Sequence, residues 1–125
     1  MTIDKILAFE KVYPILKELS LPIKTSYTLA KIHQLAAADV QFYQQKLFEI
    51  ISKYGDKDDS GNLKQKEDFI PIKEESLKDC EKEMNELHNF DLPDYNNLKI
   101  SLIDLGNIEL TPDQLQSLLP FISEE

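Results

Sequence analysis

The residues best suited to chemistry lie in one polar loop. Asp56, Asp58, Ser60, Gly61, Asn62, Leu63 and Glu67 occupy positions 1, 3, 5, 6, 7, 8 and 12 of a calcium-binding loop of the EF-hand type. The donor chemistry is sound, with hard oxygens at alternate positions, a glycine for the sharp turn and a glutamate as bidentate ligand. The flanks suit it less well. Pro71 follows Glu67 by four residues and would break an exiting helix in its first turn. Gly55 stands where an aromatic usually packs, and no second loop is present to pair with this one. The competing expectation is a solvated turn in which Asp59-Ser60-Gly61-Asn62 reverses the chain. Calcium binding by Asp56, Asp58, Ser60, Asn62 and Glu67 is therefore the third functional reading, and no metal site is favoured.

Other reactive groups lack a setting. His33 and His88 are far apart, and with the single Cys80 on an apolar stripe they do not make a zinc set. His33 falls on the seam of a long helix, where a hydrogen-bonded core histidine is the expectation and a pH-sensitive contact the lesser one. Cys80 should be buried on a helix face, where a thiol is inert. Three glycines leave little for a phosphate loop or a nucleophile elbow. The acids from Glu74 to Glu86 are interspersed with Lys78 and Lys82, as on a solvated helix face. Lys24-Thr25-Ser26-Tyr27 has the groups of an anion-binding helix terminus, but capping explains the same residues. Neither catalytic residues nor a cofactor is expected, and the reading is non-enzymatic.

Charge narrows the partners. The 125 residues carry a net charge of -9, unevenly spread. Residues 1–55 hold seven Lys against five acids, whereas residues 56–125 hold seven Lys against eighteen. There is no Arg, the residue whose planar fork best reads phosphate and guanine edges. Direct nucleic-acid binding is disfavoured. No apolar run approaches 18 residues and no basic-then-apolar leader is seen, so neither a membrane span nor a secretory signal is expected. One cysteine fits a reducing cytoplasm.

The elements that would position these residues are mainly helical. Leu29, His33, Ala36, Val40, Tyr43, Leu47, Ile50 and Tyr54 step by 4, 3, 4, 3, 4, 3, 4, the period of a coiled-coil seam. A helix over residues 25–54 would be about 45 Å long at ~1.5 Å per residue, against about 35 Å for a compact domain of this size. Either the molecule is elongated or a second copy covers the exposed end. Thr25 or Ser26 should cap this helix and Gly55 end it as a left-handed cap. Thr2 caps a first helix from Ile3 to Leu19 with a stripe of Ile6, Phe9, Tyr13 and Leu16, kinked at Pro14. The short Ser20-Leu21-Pro22 link makes the two an antiparallel hairpin spanning residues 1–55. A polar loop and the extended piece Phe69-Ile70-Pro71-Ile72 fill residues 56–72, and a third helix with Leu77, Cys80, Met84 and Leu87 inward fills 73–88. Residues 98–122 read as a β-hairpin, with Lys99–Ile103 paired to Ile108–Leu110 across Gly106-Asn107, closed by a short helix begun by Thr111-Pro112-Asp113-Gln114. The fold class is α+β, mainly α, in one domain.

The runs LPIKTSYTLAK, KYGDKDDSGN and KISLIDLGNIELTPDQLQSLLPFI resemble small proteins encoded by tailed bacteriophages and prophages, over most of residues 19–122. The resemblance implies a setting, in a phage assembly or against a host target, and carries no activity or site residues. The first reading is thus an oligomerising interaction protein, with Leu29, Ala36, Val40, Tyr43, Leu47 and Ile50 as seam contacts to another copy or to another phage or host protein, in the host cytoplasm or as part of a virion. The second is an acidic inhibitor that fills the basic, nucleic-acid-binding groove of a host protein, with Glu74, Glu75 and Glu81 contributing.

Overall fold

Thr2 opens the first helix as expected. Its backbone is extended (φ -112°, ψ 162°) and its Oγ1 accepts the Lys5 N–H at 3.5 Å. A computed structural model describes residues 1–64 and 70–123. Those residues form α1 (Ile3–Leu16), α2 (Ile23–Tyr54), α3 (Leu77–His88), α4 (Pro112–Leu118) and the short strands β1 (Ile100–Ser101) and β2 (Ile122–Ser123). With the 3-10 turns included, the described residues are 65% helical, so the α+β, mainly α class holds.

Pro14 does not break α1. It lies in the last turn, so its missing N–H removes one bond close to where the helix ends anyway. The Lys17 N–H still reaches the Tyr13 carbonyl at 3.0 Å, and the helix stops at Leu16, short of the expected Leu19. The start of α2 also differs. The Ser26 N–H bonds the Pro22 carbonyl at 2.9 Å, so the helix begins at Ile23 and Thr25 sits inside its first turn, buried and not a cap.

The chain divides into two compact units: Met1–Val40 with the chain from Asp91 onward, and Gln41–Phe90. The unbroken 32-residue α2 contributes to both.

In the first unit α1 buries Ile3, Ile6, Phe9, Val12 and Leu16, and α2 buries Thr25, Leu29, Ile32 and Ala36. Phe9 meets Phe121 edge-on at 5.1 Å, and Tyr95 meets the same ring at 6.2 Å. The hairpin contact of α1 with α2 includes Tyr13 stacked on His33 at 4.1 Å and His33 Nδ1 bonded to Glu10 Oε1 at 2.9 Å. The Tyr95 hydroxyl donates to the Asp39 carboxylate. Burial, then that bond, pushes the Tyr95 phenol upward. The returning chain is fixed to the start of the sequence, where Leu92 N–H donates to the Met1 carbonyl at 2.6 Å and Thr2 pairs with Asp91.

The small sheet is not the expected hairpin. β1 pairs in parallel with β2, Ile100 opposite Ile122 and Ser101 opposite Ser123, and Ile108–Leu110 is not a strand. After β1 the chain coils through a 3-10 turn at Ile103–Leu105 and swings away at Gly106 (φ 60°), so no tight reversal follows. Parallel strands need a long crossover, and residues 102–121 supply one containing α4. That helix starts with the expected capping box: Gln114 N–H to Thr111 Oγ1 at 3.2 Å, and Thr111 N–H to Gln114 Oε1 at 2.9 Å.

In the second unit Gly55 ends α2, though not as a left-handed cap: the positive-φ glycines are Gly61 and Gly106. Gly55 pairs with Ile72, while Asp56 N–H reaches the Pro71 carbonyl at 2.7 Å and Lys73 N–H the Tyr54 carbonyl at 3.1 Å. A Cβ on Gly55 would lie 2.5 Å from the Ile51 carbonyl oxygen and 2.7 Å from Leu63 Cδ2. Close approach, not handedness, calls for glycine here. Beyond it, Ile72 lies in the bridge to Gly55, Ile70 and Pro71 are in neither helix nor strand, and Phe69 lies outside the described residues. A 3-10 turn at Glu74–Ser76 leads into α3, which buries Cys80 and Leu87.

Candidate functional site

The six seam residues meet different fates. Leu29 and Ala36 are buried in the first unit and Ile50 in the second, so their apolar surface is already covered within the chain. Val40, Tyr43 and Leu47 are half-buried. From Ala37 to Glu49 α2 has no buried residue at all, and Phe48 is 68% exposed. Ile32, which lies off the heptad seam, is fully buried as well.

A groove in the second unit collects the uncovered apolar surface. Phe42, Lys46, Glu49, Ile50 and Lys53 share one face of α2 at helical spacing and form one wall. Glu83, Glu86 and Leu87 from α3, with Phe90 just beyond it, form the other. The cavity is about 360 Å³ and open along its length. Phe42 and Phe90, both well exposed, approach at 6.2 Å across it. Lys46 Nζ lies 5.9 Å from the Phe42 ring centre and pairs with Glu49 at 3.2 Å. Lys53 reaches Glu83 at 3.5 Å across the groove. The Tyr54 hydroxyl, then Lys53, holds the Glu83 carboxyl below the usual carboxylate range, so it is charged at neutral pH. Of the six predicted interface residues only Ile50 lines this groove. The pairing of Phe42 with Phe90 depends on how α3 returns, which the sequence spacing does not encode.

The polar loop is a tight reversal. Lys57 pairs with Leu63, and Asp58 Oδ1 accepts from Ser60 N–H at 2.9 Å and Asn62 N–H at 3.1 Å. Gly61 (φ 83°) allows the turn. The Asp56 carboxylate takes Lys57 N–H at 2.9 Å and Lys64 Nζ at 3.2 Å, and Lys64 first of all holds it below the usual carboxylate range. Two of the proposed calcium donors are thus engaged in turn and ion-pair bonds, and Glu67 lies outside the described residues. Among the described residues no group of three or more His, Cys, Asp or Glu is placed to hold a metal ion.

His33 is bonded to Glu10 at the edge of the first unit, with its side chain 40% exposed. His88 meets Tyr43 edge-on at 5.4 Å. Cys80 is buried, and burial first, then Glu83 and Glu81, pushes its thiol up, away from the reactive thiolate. No described helix is long and apolar enough to cross a membrane. No known protein-family model, no curated protein and no solved structure matches the chain.

Proposed function

We propose that the protein is a non-enzymatic interaction module that associates with a second copy of itself through the Phe42–Phe90 groove of Gln41–Phe90. The observation that carries this reading is the exposed aromatic pair in an open groove, on a chain that is otherwise charge-rich. The occupant follows from charge. The α2 wall bears Lys46 and Lys53 against one acid, Glu49, and the α3 wall bears Glu83 and Glu86. A two-fold axis along the groove sets each α2 wall against the partner's α3 wall, so that opposite charges face each other around a shared apolar strip. The phage-like segments fit such an assembly subunit. The inhibitor reading draws less support, because Lys78 and Lys82 alternate with Glu81 and Glu86 around a shallow α3 cavity.

Sedimentation equilibrium over a micromolar-to-millimolar range tests it. The expected result is a monomer–dimer equilibrium, with Phe42→Ser and Phe90→Ser each weakening dimerisation by about tenfold or more, as for a buried aromatic anchor. Phe48→Ser, which removes an aromatic outside the groove lining, should leave it intact. A wild-type chain that stays monomeric at high micromolar concentration overturns the proposal.

A further inference from the structure

Glu83 carries an oxygen that the chain leaves unserved. Among the described residues, its Oε2 is the one buried side-chain nitrogen or oxygen without a hydrogen-bond partner. The other oxygen, Oε1, faces Lys53 Nζ at 3.5 Å across the groove. The Tyr54 hydroxyl, then Lys53, keeps the carboxyl ionised, so a charged group bears the deficit. An ionised oxygen out of water with no donor is costly, and an incoming N–H group relieves it.

The residue is not sealed off. The Glu83 side chain is 35% exposed and lines the groove, and rotation about its Cγ–Cδ bond, a broad torsion, brings Oε2 out. Lys53 is 62% exposed, and its ammonium has three protons, more than the contact with Oε1 uses. Lys46, the other groove lysine, is already paired with Glu49. Given the two-fold dimer proposed above, on which this inference rests, symmetry selects the donor. A half-turn about an axis along the groove exchanges the two walls and leaves each residue at its own level. Lys53 and Glu83 share a level, since they meet across the groove, and Phe42 and Phe90 share another. The second copy therefore brings its Lys53 to Glu83 and its Phe42 to Phe90.

We infer that each Glu83 carboxylate bridges two lysines, Lys53 of its own chain and Lys53 of the second copy, and that this closed ring of charges selects a second copy and fixes its register. Sedimentation equilibrium of the full chain and its variants tests the ring. Lys53→Glu and Glu83→Lys each set like charges against one another across the two-fold, so each chain alone should dimerise at least about tenfold more weakly than wild type. Mixed in equal amounts, the two should associate again, because an all-acidic set then meets an all-basic one. A purely intramolecular role for the pair predicts no such rescue. Glu83→Gln, nearly isosteric, should weaken the dimer by about tenfold with the fold intact. A wild-type chain that stays monomeric removes the dimer itself and the ring with it. A wild-type dimer that Glu83→Gln leaves as tight, or reversed variants that mixing does not rescue, overturns the ring and leaves the aromatic groove standing.

Discussion

Gly55→Ala isolates the packing reason for glycine at the end of α2. The added Cβ would meet the Ile51 carbonyl oxygen at 2.5 Å, about 1 Å inside the range of ordinary contact. Leu63 Cδ2, at 2.7 Å, is the end of a flexible side chain and can turn aside. The Ile51 oxygen cannot: it accepts the Gly55 N–H at 2.7 Å and belongs to the last turn of the helix. Relief requires moving Gly55 away, which also strains its pairing with Ile72. Overpacking of this kind costs about 1–3 kcal/mol, and weakening one backbone bond adds about 1 kcal/mol. Urea unfolding followed by circular dichroism should therefore show a loss of about 2–4 kcal/mol. Gly55→Asn separates this cause from a left-handed cap, because asparagine tolerates that cap and should then be the milder change. Here it should cost at least as much as alanine. Gly61→Ala gives the contrast, since nothing lies within 4 Å of its Cβ and only its φ of 83° resists. That change should cost about 1–2 kcal/mol and be largely recovered by asparagine. Gly55→Ala within about 0.5 kcal/mol of wild type, the range of ordinary surface changes, refutes the reasoning.

Two further outcomes follow from local chemistry. Because burial and the Asp39 bond raise the Tyr95 phenol, the folded chain keeps a proton that the unfolded chain releases above about pH 10. Its contribution is complete below that pH and lost as pH rises, so Tyr95→Phe should flatten the alkaline fall in stability measured by urea unfolding at stepped pH; unchanged curvature counts against the link. Thr111→Ala removes one half of the α4 capping box and should cost about 0.5–2 kcal/mol, visible as a lower thermal midpoint, since Phe121 and β2 follow directly from that helix.

Legibility followed the range of the interaction that decides each feature. Thr2 and the Thr111–Gln114 box are satisfied within three residues, and both formed as read. The helical stripe of α1 was likewise visible, and that of α3 in part: Cys80 and Leu87 are buried, Met84 is half-buried, and Leu77 is exposed. Strand pairing was not visible. Ile100 and Ile122 are 22 positions apart, and nothing local to Ile100 distinguishes that partner from the nearer Ile108. Gly55 was misread for a related reason: a glycine after a helix suggests a cap, whereas the crowding comes in part from Leu63 and Ile70, beyond the next turn. The groove shares this limit, since Phe42 and Phe90 are 48 positions apart.

The seam shows why a long apolar period does not by itself specify a coiled coil. Heptad spacing states that side chains share a face; it does not state what covers them. In α2 the first half of the stripe is spent on the unit closed by the return of the chain at Asp91, where Thr25, Leu29, Ile32 and Ala36 are buried at steps of 4, 3, 4. Ile50 is spent on α2's distal unit. Two intramolecular cores therefore account for Leu29, Ala36 and Ile50, while Val40, Tyr43 and Leu47 between them are half-buried. What they leave most exposed includes a face carrying Phe42 and meeting Phe90, and the proposed self-association rests on that face. A partner that docked instead on the stripe would have to displace side chains that each lose water-free packing worth about 1.5–3 kcal/mol, a cost that the exposed groove does not impose.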